Sequence, residues 1–456
     1  MHDAPAWHQR FTSWVKPFLE VFANKGREAM AKLYLMGLLG PGDRKSIEPI
    51  ANRFAPGQHQ RLHHFISASM WDTEPLDAVL MKKVNDLVGG PQSHLIIDDT
   101  ALVKQGKHSV GVAHQYCGQL GKNANCQCVV TLTLARDEIP VPAAMRLYLP
   151  KSWCDDSKRR AEAKIPEDCI FQEKWRIALD EIDRLIANGV QFGDVLADAG
   201  YGAAADFRHG LTKRRLIWAV GVAHEERVYP LSVQVECANP SDLAGRARKH
   251  PKPNQSSLSA KRFIEALGET AFQTLSWREG TKGPLTAEFA AVRVRAADGE
   301  KFSKAPRLPG EEVWLVCERR RSGEVKYYFT NHSADTPLMT IAGAIKARWS
   351  CEQTHQQMKE ELGLDHFECR SWIALRHHLL LTRIAFVFLQ TWRVAQLNAL
   401  NSSDSTETSP IDELNRAPAE LSSPYIPTGA VLPLEPASSV GTHGSQQLRV
   451  QPEKKA

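Results

Sequence analysis

The stretch "HLIIDDT" (94–100) places three apolar residues, two of them β-branched, directly ahead of two carboxylates. Such a run reads as a buried strand that ends in Asp98 and Asp99. A second apolar run, "DVLADAG" (194–200), ends the same way in Asp198, beside a glycine-rich turn. Around them, "HSVGVAHQY" (108–116) and "CQCVVTLTLA" (126–135) read as strands, "QEKWRIALDEIDRLIAN" (172–188) as a helix, 203–213 as a second helix and "RLIWAVGV" (215–222) as a strand. The order β-β-β-α-β-α-β predicts an antiparallel meander leading into an α/β core, with helices covering a mixed sheet.

Outward from this core, helical spacing of apolar residues in 18–40, 62–70 and 75–88 predicts a helical N-terminal region, 1–90. The core then runs over 91–224 and resumes over 331–398, with helices around 336–362 and 372–397. Between them, 225–330 reads as a β-rich insertion carrying a basic arm, whose Arg246, Arg248 and Lys249 are candidates to follow a phosphate backbone. Residues 399–456 are rich in Ser, Pro and Thr and poor in aromatics, and are expected to be disordered.

Composition narrows the function less than position does. With 57 Lys+Arg against 52 Asp+Glu the net charge is only +5, so a polyanionic partner must be recognised locally. An odd count of nine cysteines and a start without a signal-like apolar segment predict a reduced, cytoplasmic protein. The apolar run "LLLTRIAFVFL" (379–389) carries an arginine and is shorter than the ~20 residues a bilayer demands, so no membrane span is expected. Cys117, Cys126 and Cys128 contain no Cys-x-x-Cys pair and read as core rather than as a zinc site.

A third acidic element lies in "RWSCEQTHQQMK" (348–359). At about 100° per residue, Arg348, Glu352, His355 and Lys359 share one helical face. Alone, this stripe is also what a solvated face with an Arg–Glu pair looks like. Ionised carboxylates at the ends of buried strands are costly unless something neutralises them, and ligands of open α/β sheets collect at the carboxyl ends of strands. Three converging carboxylates would raise one another's pKa values unless divalent cations paired with them, and oxygen-only ligands suit Mg²⁺ or Mn²⁺. Two such ions could drive an in-line attack on a phosphodiester.

Taken with "DDTALVKQGKHSVGVAHQYCGQLGKNANCQ" (98–127), "LYLPKSW" (147–153), "VLADAGYG", "WREGTKGPL" (277–285) and "KEELGLDHFECRSW" (359–372), these motifs make the chain resemble the DDE transposases of bacterial insertion sequences. The resemblance spans roughly 94–390, within the group whose third carboxylate lies in a Tyr-x2-Arg-x3-Glu-x6-Lys signature. Here Arg348, Glu352 and Lys359 keep that spacing, while Ile345 stands at the tyrosine position, an accessory phosphate contact. The resemblance implies a ribonuclease-H-like fold interrupted by a β-rich insertion, and two Mg²⁺ ions held by Asp98, Asp198 and Glu352. It further implies double-stranded DNA as partner, Arg348 and Lys359 as positioning residues for DNA, and a homodimer that pairs two element ends. Asp98 is preferred to Asp99 because the family's first strand reads Asp-x-Thr, and strand alternation turns Asp99 away. Lys104, Lys107 and Lys122, in turns beside the first strand, are further candidate phosphate contacts. A DNA-binding relative without cleavage activity and a nuclease of the same fold without strand transfer are the competing readings.

Overall fold

The computed structural model describes residues 6–236, 250–280, 283–302 and 306–403. Five helices come first: α1 (Ala6–Leu19), α2 (Lys25–Leu39), α3 (Ile47–Phe54), α4 (His59–Ser67) and α5 (Glu74–Val88). The apolar stretch 18–40 is divided by Asn24, whose side chain accepts hydrogen bonds from the backbone N–H groups of Gly26 and Arg27 and so starts α2 afresh.

Next come β1 (His94–Val103), β2 (Ala113–Cys117), β3 (Lys122–Arg136) and β4 (Ile139–Tyr148). The meander of the core is β1, β3 and β4, whereas the sequence pointed to β1, β2 and β3. Pro140 and Pro142 conceal β4 in the sequence. Proline lacks the N–H of a ladder bond and is tolerated at a strand's unpaired side, and β4 pairs with β3 alone.

The chain continues through α6 (Lys174–Ala187), β5 (Asp194–Ala197), α7 (Ala205–Lys213) and β6 (Ile217–Val222). β5 lies parallel to β1 and β6 parallel to β5, which gives the strand order β4-β3-β1-β5-β6 and places the first strand at the centre. This is the mixed α/β arrangement expected from the order of elements.

Apart from a short antiparallel pairing of Val235–Glu236 with Lys252–Pro253, the insertion does not form a sheet of its own. Its strands β7 (Arg227–Pro230), β8 (Leu258–Ser259), β9 (Gln273–Gly280), β10 (Gly283–Ala296), β11 (Glu312–Arg319) and β12 (Val325–Thr330) extend the core sheet, because β12 pairs antiparallel with β6. Among the described residues the result is one twelve-stranded sheet. Arg246, Arg248 and Lys249 lie outside the described residues, as does the tail beyond 403.

Three helices close the fold: α8 (Leu338–Ala347), α9 (Trp349–Glu360) and α10 (Trp372–Ser403). The helix expected over 336–362 is therefore two, jointed at Arg348. By length and composition, Trp372–Asn398 is long and apolar enough to cross a membrane, but 78% of its most apolar 18-residue window is buried inside the protein. It packs against β4 and α2 and acts as a central core helix.

α10 also fastens the N-terminal helices to the sheet. His377 donates from Nδ1 to the Ile66 carbonyl at 2.9 Å and stacks on Trp71, while His378 meets the Tyr34 hydroxyl at 2.9 Å. Arg383, 4% exposed, donates to Asp77 of α5 at 2.7 Å and to the carbonyl of Pro142 at 3.0 Å. Asp77 also takes Arg184 of α6. Burial alone would raise the Asp77 carboxyl, but Arg383, Arg184 and Arg146 outweigh it and hold the pKa below its ordinary value.

Removing one partner from a buried ion pair strands the other, typically at about 3–5 kcal/mol. Arg383→Leu should therefore lower the urea-unfolding free energy by about that amount, while a surface pair such as Lys16 and Glu20 should cost ~0–1 kcal/mol.

Candidate active site

The parallel register of β1 and β5 pairs His94 with Asp194 and Ile97 with Ala197. One step further stand Asp98, midway along β1 where its pairing with β5 stops and its pairing with β3 continues to Val103, and Asp198, just past the carboxyl end of β5, the end at which an open α/β sheet binds ligands. Neighbouring strands run about 4.8 Å apart, so the two carboxylates are forced together by backbone pairing alone.

Each aspartate is held differently. Asp98 Oδ1 accepts from the Asp99 backbone N–H at 2.7 Å, and Oδ2 accepts from Arg348 at 2.8 Å. Asp198 caps the turn that follows it, accepting at Oδ1 from the N–H groups of Gly200 at 2.9 Å and Tyr201 at 3.3 Å. That turn presses on β6: a Cβ on Gly202 would lie 1.9 Å from the Gly221 carbonyl oxygen, so only glycine fits there. Asp99 faces the other way, as strand alternation requires, and is bound by Lys174 of α6 and by the Tyr201 hydroxyl at 2.5 Å.

Glu352 enters from α9. Its carboxylate meets Arg348 at 2.5 Å, so a single guanidinium bridges Asp98 and Glu352. The sequence reading gave Arg348 to DNA; the fold gives it first to these two carboxylates. Being at the joint between α8 and α9, with helical φ and ψ of −56° and −28°, it can reach both. Two further acids follow on the same helix, but Glu360 is hydrogen-bonded to Gln356 at 3.0 Å and Glu361 interacts with Lys45, so neither joins the group.

Burial raises the Asp98 pKa to about 7; Arg348 opposes the shift, and Asp198 and Asp99 add to it. Arg348 itself is raised, since Asp98, Glu352 and Asp198 outweigh its burial. The two directions are consistent: the pair attracts, yet one guanidinium does not compensate several carboxylates in a partly desolvated place. The pocket is short of positive charge.

Behind Asp98 lies a buried polar layer that the sequence reading did not single out. Thr131, paired opposite Asp98 in β3, donates to the Asp98 carbonyl at 3.0 Å. Its hydroxyl also meets His355 Nε2 at 2.8 Å, and Cys351 lies 3.3 Å from the Thr133 hydroxyl and 3.5 Å from His355 Nε2. Burial, aided by Lys359 and Arg348, lowers the His355 pKa to about 3. The i,i+4 spacing of Cys351 and His355 was visible in the sequence; their inward direction was not.

The remaining cations divide. Lys359 donates to Gln119 at 3.1 Å. Lys107 and Lys122 are exposed, and Lys107 borders an open cleft of about 510 Å³ that His108, His114, Lys158 and Arg159 also line. Lys104 must be corrected as a free phosphate contact. Its ammonium donates to the carbonyls of Phe367 at 2.6 Å and Asp365 at 3.3 Å, and burial lowers its pKa to about 8. Ile345 is buried beside Ile96 and Leu196 and presents nothing to a phosphate. Trp277 lies under the Lys346 ammonium, and Trp314 donates to the Ser333 carbonyl at 3.1 Å.

Two outcomes test this geometry. A carboxyl whose folded pKa is raised binds its proton more tightly when folded, so its contribution to stability falls as pH rises from about 4 to about 7 and stays flat above. Without divalent ions, the stability of Asp98→Asn relative to the parent should therefore climb across that window, measured by denaturant midpoints at pH 5 and pH 8. Arg348→Ala should tighten Mn²⁺ binding, read by calorimetry or by the loss of the free-ion paramagnetic signal, because the carboxylates lose their internal counter-cation.

With the geometry in hand, comparison with known proteins places the chain. A probable transposase for insertion sequence element IS701 from Microchaete diplosiphon is 31% identical over 175 residues, which cover 38% of this chain and 43% of that relative. The match thus spans less than half of the relative's length. A cryo-EM structure of the piggyBac transposase synaptic complex with hairpin DNA aligns with a TM-score of 0.40 at 10% identity, over 93% of this chain and 82% of that one. Residues 17–284, more than half of the chain, match the family model described as DDE superfamily endonuclease, and the protein belongs to that family.

Proposed function

We propose that the chain is a DNA transposase that cuts at the ends of its element and joins the freed 3′-hydroxyls to target DNA. The observation that carries this reading is the parallel β1–β5 register, which sets Asp98 beside Asp198, together with the Arg348 bridge to Glu352.

The residues fit a divalent cation. The donors are carboxylate oxygens, the set preferred by Mg²⁺ and Mn²⁺, and burial together with the neighbouring Asp198 carboxylate raises the Asp98 pKa, a shift that a bound cation would oppose. When bound, two such ions activate a water or a 3′-hydroxyl and stabilise the leaving oxygen of an in-line displacement at phosphorus. Asp98, Asp198 and Glu352 would hold them. Asp198, with Oδ1 spent on backbone N–H groups, offers its other oxygen.

Arg348 has a second duty in this reading. Released from Asp98 and Glu352 when the carboxylates are neutralised, its planar guanidinium is free to bind a phosphate on two N–H groups. Lys359, Lys107 and Lys122 would fix the register of the DNA without reading its bases. End recognition is assigned to the N-terminal helices, and the pairing of two element ends to a homodimer acting in the cytoplasm on the nucleoid. Phosphate contacts from Arg246, Arg248 and Lys249 belong to the same proposal.

The test is cleavage and joining of element-end DNA by the full chain with Mg²⁺ or Mn²⁺. Several kcal/mol of transition-state charge stabilisation correspond to about 10²–10⁴ in rate, so Asp98→Asn, Asp198→Asn and Glu352→Gln should each lose that much cleavage while still binding end DNA in a mobility-shift assay. Equal cutting by parent and Glu352→Gln removes Glu352 from the mechanism. Cutting without joined products favours a nuclease, and DNA binding without either favours an inactive relative.

A further inference from the structure

We propose that Cys351, His355 and Asp98 form a second metal site, suited to a thiophilic ion such as Zn²⁺, which shares Asp98 with the catalytic carboxylates and switches them off when filled. The consequence for activity rests on the function proposed above; the site itself does not.

Three observations carry it. One ligand atom from each of the three residues lies within 4.8 Å of the other two. Cys351 and His355 are four apart on α9, so both project from one face of a rigid helix towards β1 and β3. Cys351 Sγ and His355 Nε2 lie 3.5 Å apart. With Zn–S near 2.3 Å and Zn–N near 2.05 Å, the edge of a tetrahedron between those two ligands is about 3.5 Å, so these two are already at coordinating distance. Asp98 lies within 4.8 Å of both and closes the third position by giving up its contact with Arg348.

The donor chemistry separates this site from the carboxylate site in front of it. Thiolate, imidazole and one carboxylate select zinc or cobalt over magnesium, which keeps oxygen ligands and water. Three protein ligands leave a fourth position for water, and the Thr131 hydroxyl, which donates to the Asp98 carbonyl and so receives the His355 Nε2–H at 2.8 Å, gives up that nitrogen when the ion binds. Coordination by the cysteine releases its thiol proton to solvent, coordination at His355 Nε2 requires the tautomer with its proton on Nδ1, and coordination by Asp98 removes that carboxylate from Arg348 and from any ion shared with Asp198.

Cobalt titration of the full chain in a thiol-free reductant gives the test. One equivalent of Co²⁺ should produce a near-ultraviolet thiolate-to-cobalt absorption, which Cys351→Ser abolishes and His355→Ala weakens at least tenfold in affinity; Zn²⁺ should displace it. Asp98→Asn serves where a helix variant misfolds, keeping the band at lower affinity. No band from the folded parent, or a band unchanged in Cys351→Ser, overturns the site. In the cleavage assay with excess Mg²⁺, zinc should inhibit the parent reversibly, and half-inhibition of Cys351→Ser, measured against its own zinc-free rate, should need at least tenfold more zinc. Equal zinc sensitivity refutes the switch. A cobalt band on Cys351 in a protein that never cuts DNA refutes the transposase reading and leaves the metal site standing.

Discussion

The whole arrangement depends on one hydrogen-bonded pairing, that of β1 with β5. β5 is four residues long and wholly buried, the paired part of β1 is buried from Leu95 to Ile97, and their parallel register brings Asp98 and Asp198 side by side where the pairing stops. Once Asp98 and Asp198 are side by side in a partly desolvated place, their repulsion has to be relieved. Arg348 relieves part of it in the free protein, and the shortfall is what makes the place receptive to added cations.

The surrounding structure keeps these groups from moving apart. Asp198 is tied to the turn after β5, and that turn is packed on β6 so closely that Gly202 and Gly221 touch backbone to backbone. Asp99 is locked on the opposite face by Lys174 and Tyr201, which fixes the twist of the strand end and with it the direction of Asp98. Thr131 and His355 brace β1 from behind. α9 can deliver Glu352 because its inner face, with Cys351, Thr354 and Met358, is buried.

The insertion and the N-terminal helices are built into this frame. β12 continues the sheet from β6, and Glu318 of β11, fully buried, receives Lys346 of α8 at 2.6 Å and Tyr328 at 2.8 Å. That contact ties the insertion to the helix leading into Arg348. On the other side, Arg383 gathers α5, β4 and α10 around a single guanidinium. Movement of either flank is therefore coupled to the elements that hold the acidic group.

Much of this was legible in the sequence. Apolar runs ending in Asp98 and Asp198 announced two buried strands, because an alternation of burial and a terminal charge leave a local signature. The spacing of Arg348, Glu352 and Lys359 announced a helical face for the same reason. Asp98 was preferred to Asp99 on the Asp-x-Thr pattern of the family it resembles, and a strand's period of two, a local property, then put the two aspartates on opposite faces. What the sequence left hidden were β4, masked by its prolines, the break between α8 and α9, and the partners of each charge. Lys104 looked like a free cation until its carbonyl acceptors, 261 and 263 residues away, were in view. Arg348 looked like a DNA contact until it was found on Asp98, 250 residues away. Local chemistry and periodicity are written residue by residue along the chain, whereas the partner of a charge is chosen by strand register and helix packing, which only the folded chain brings into contact.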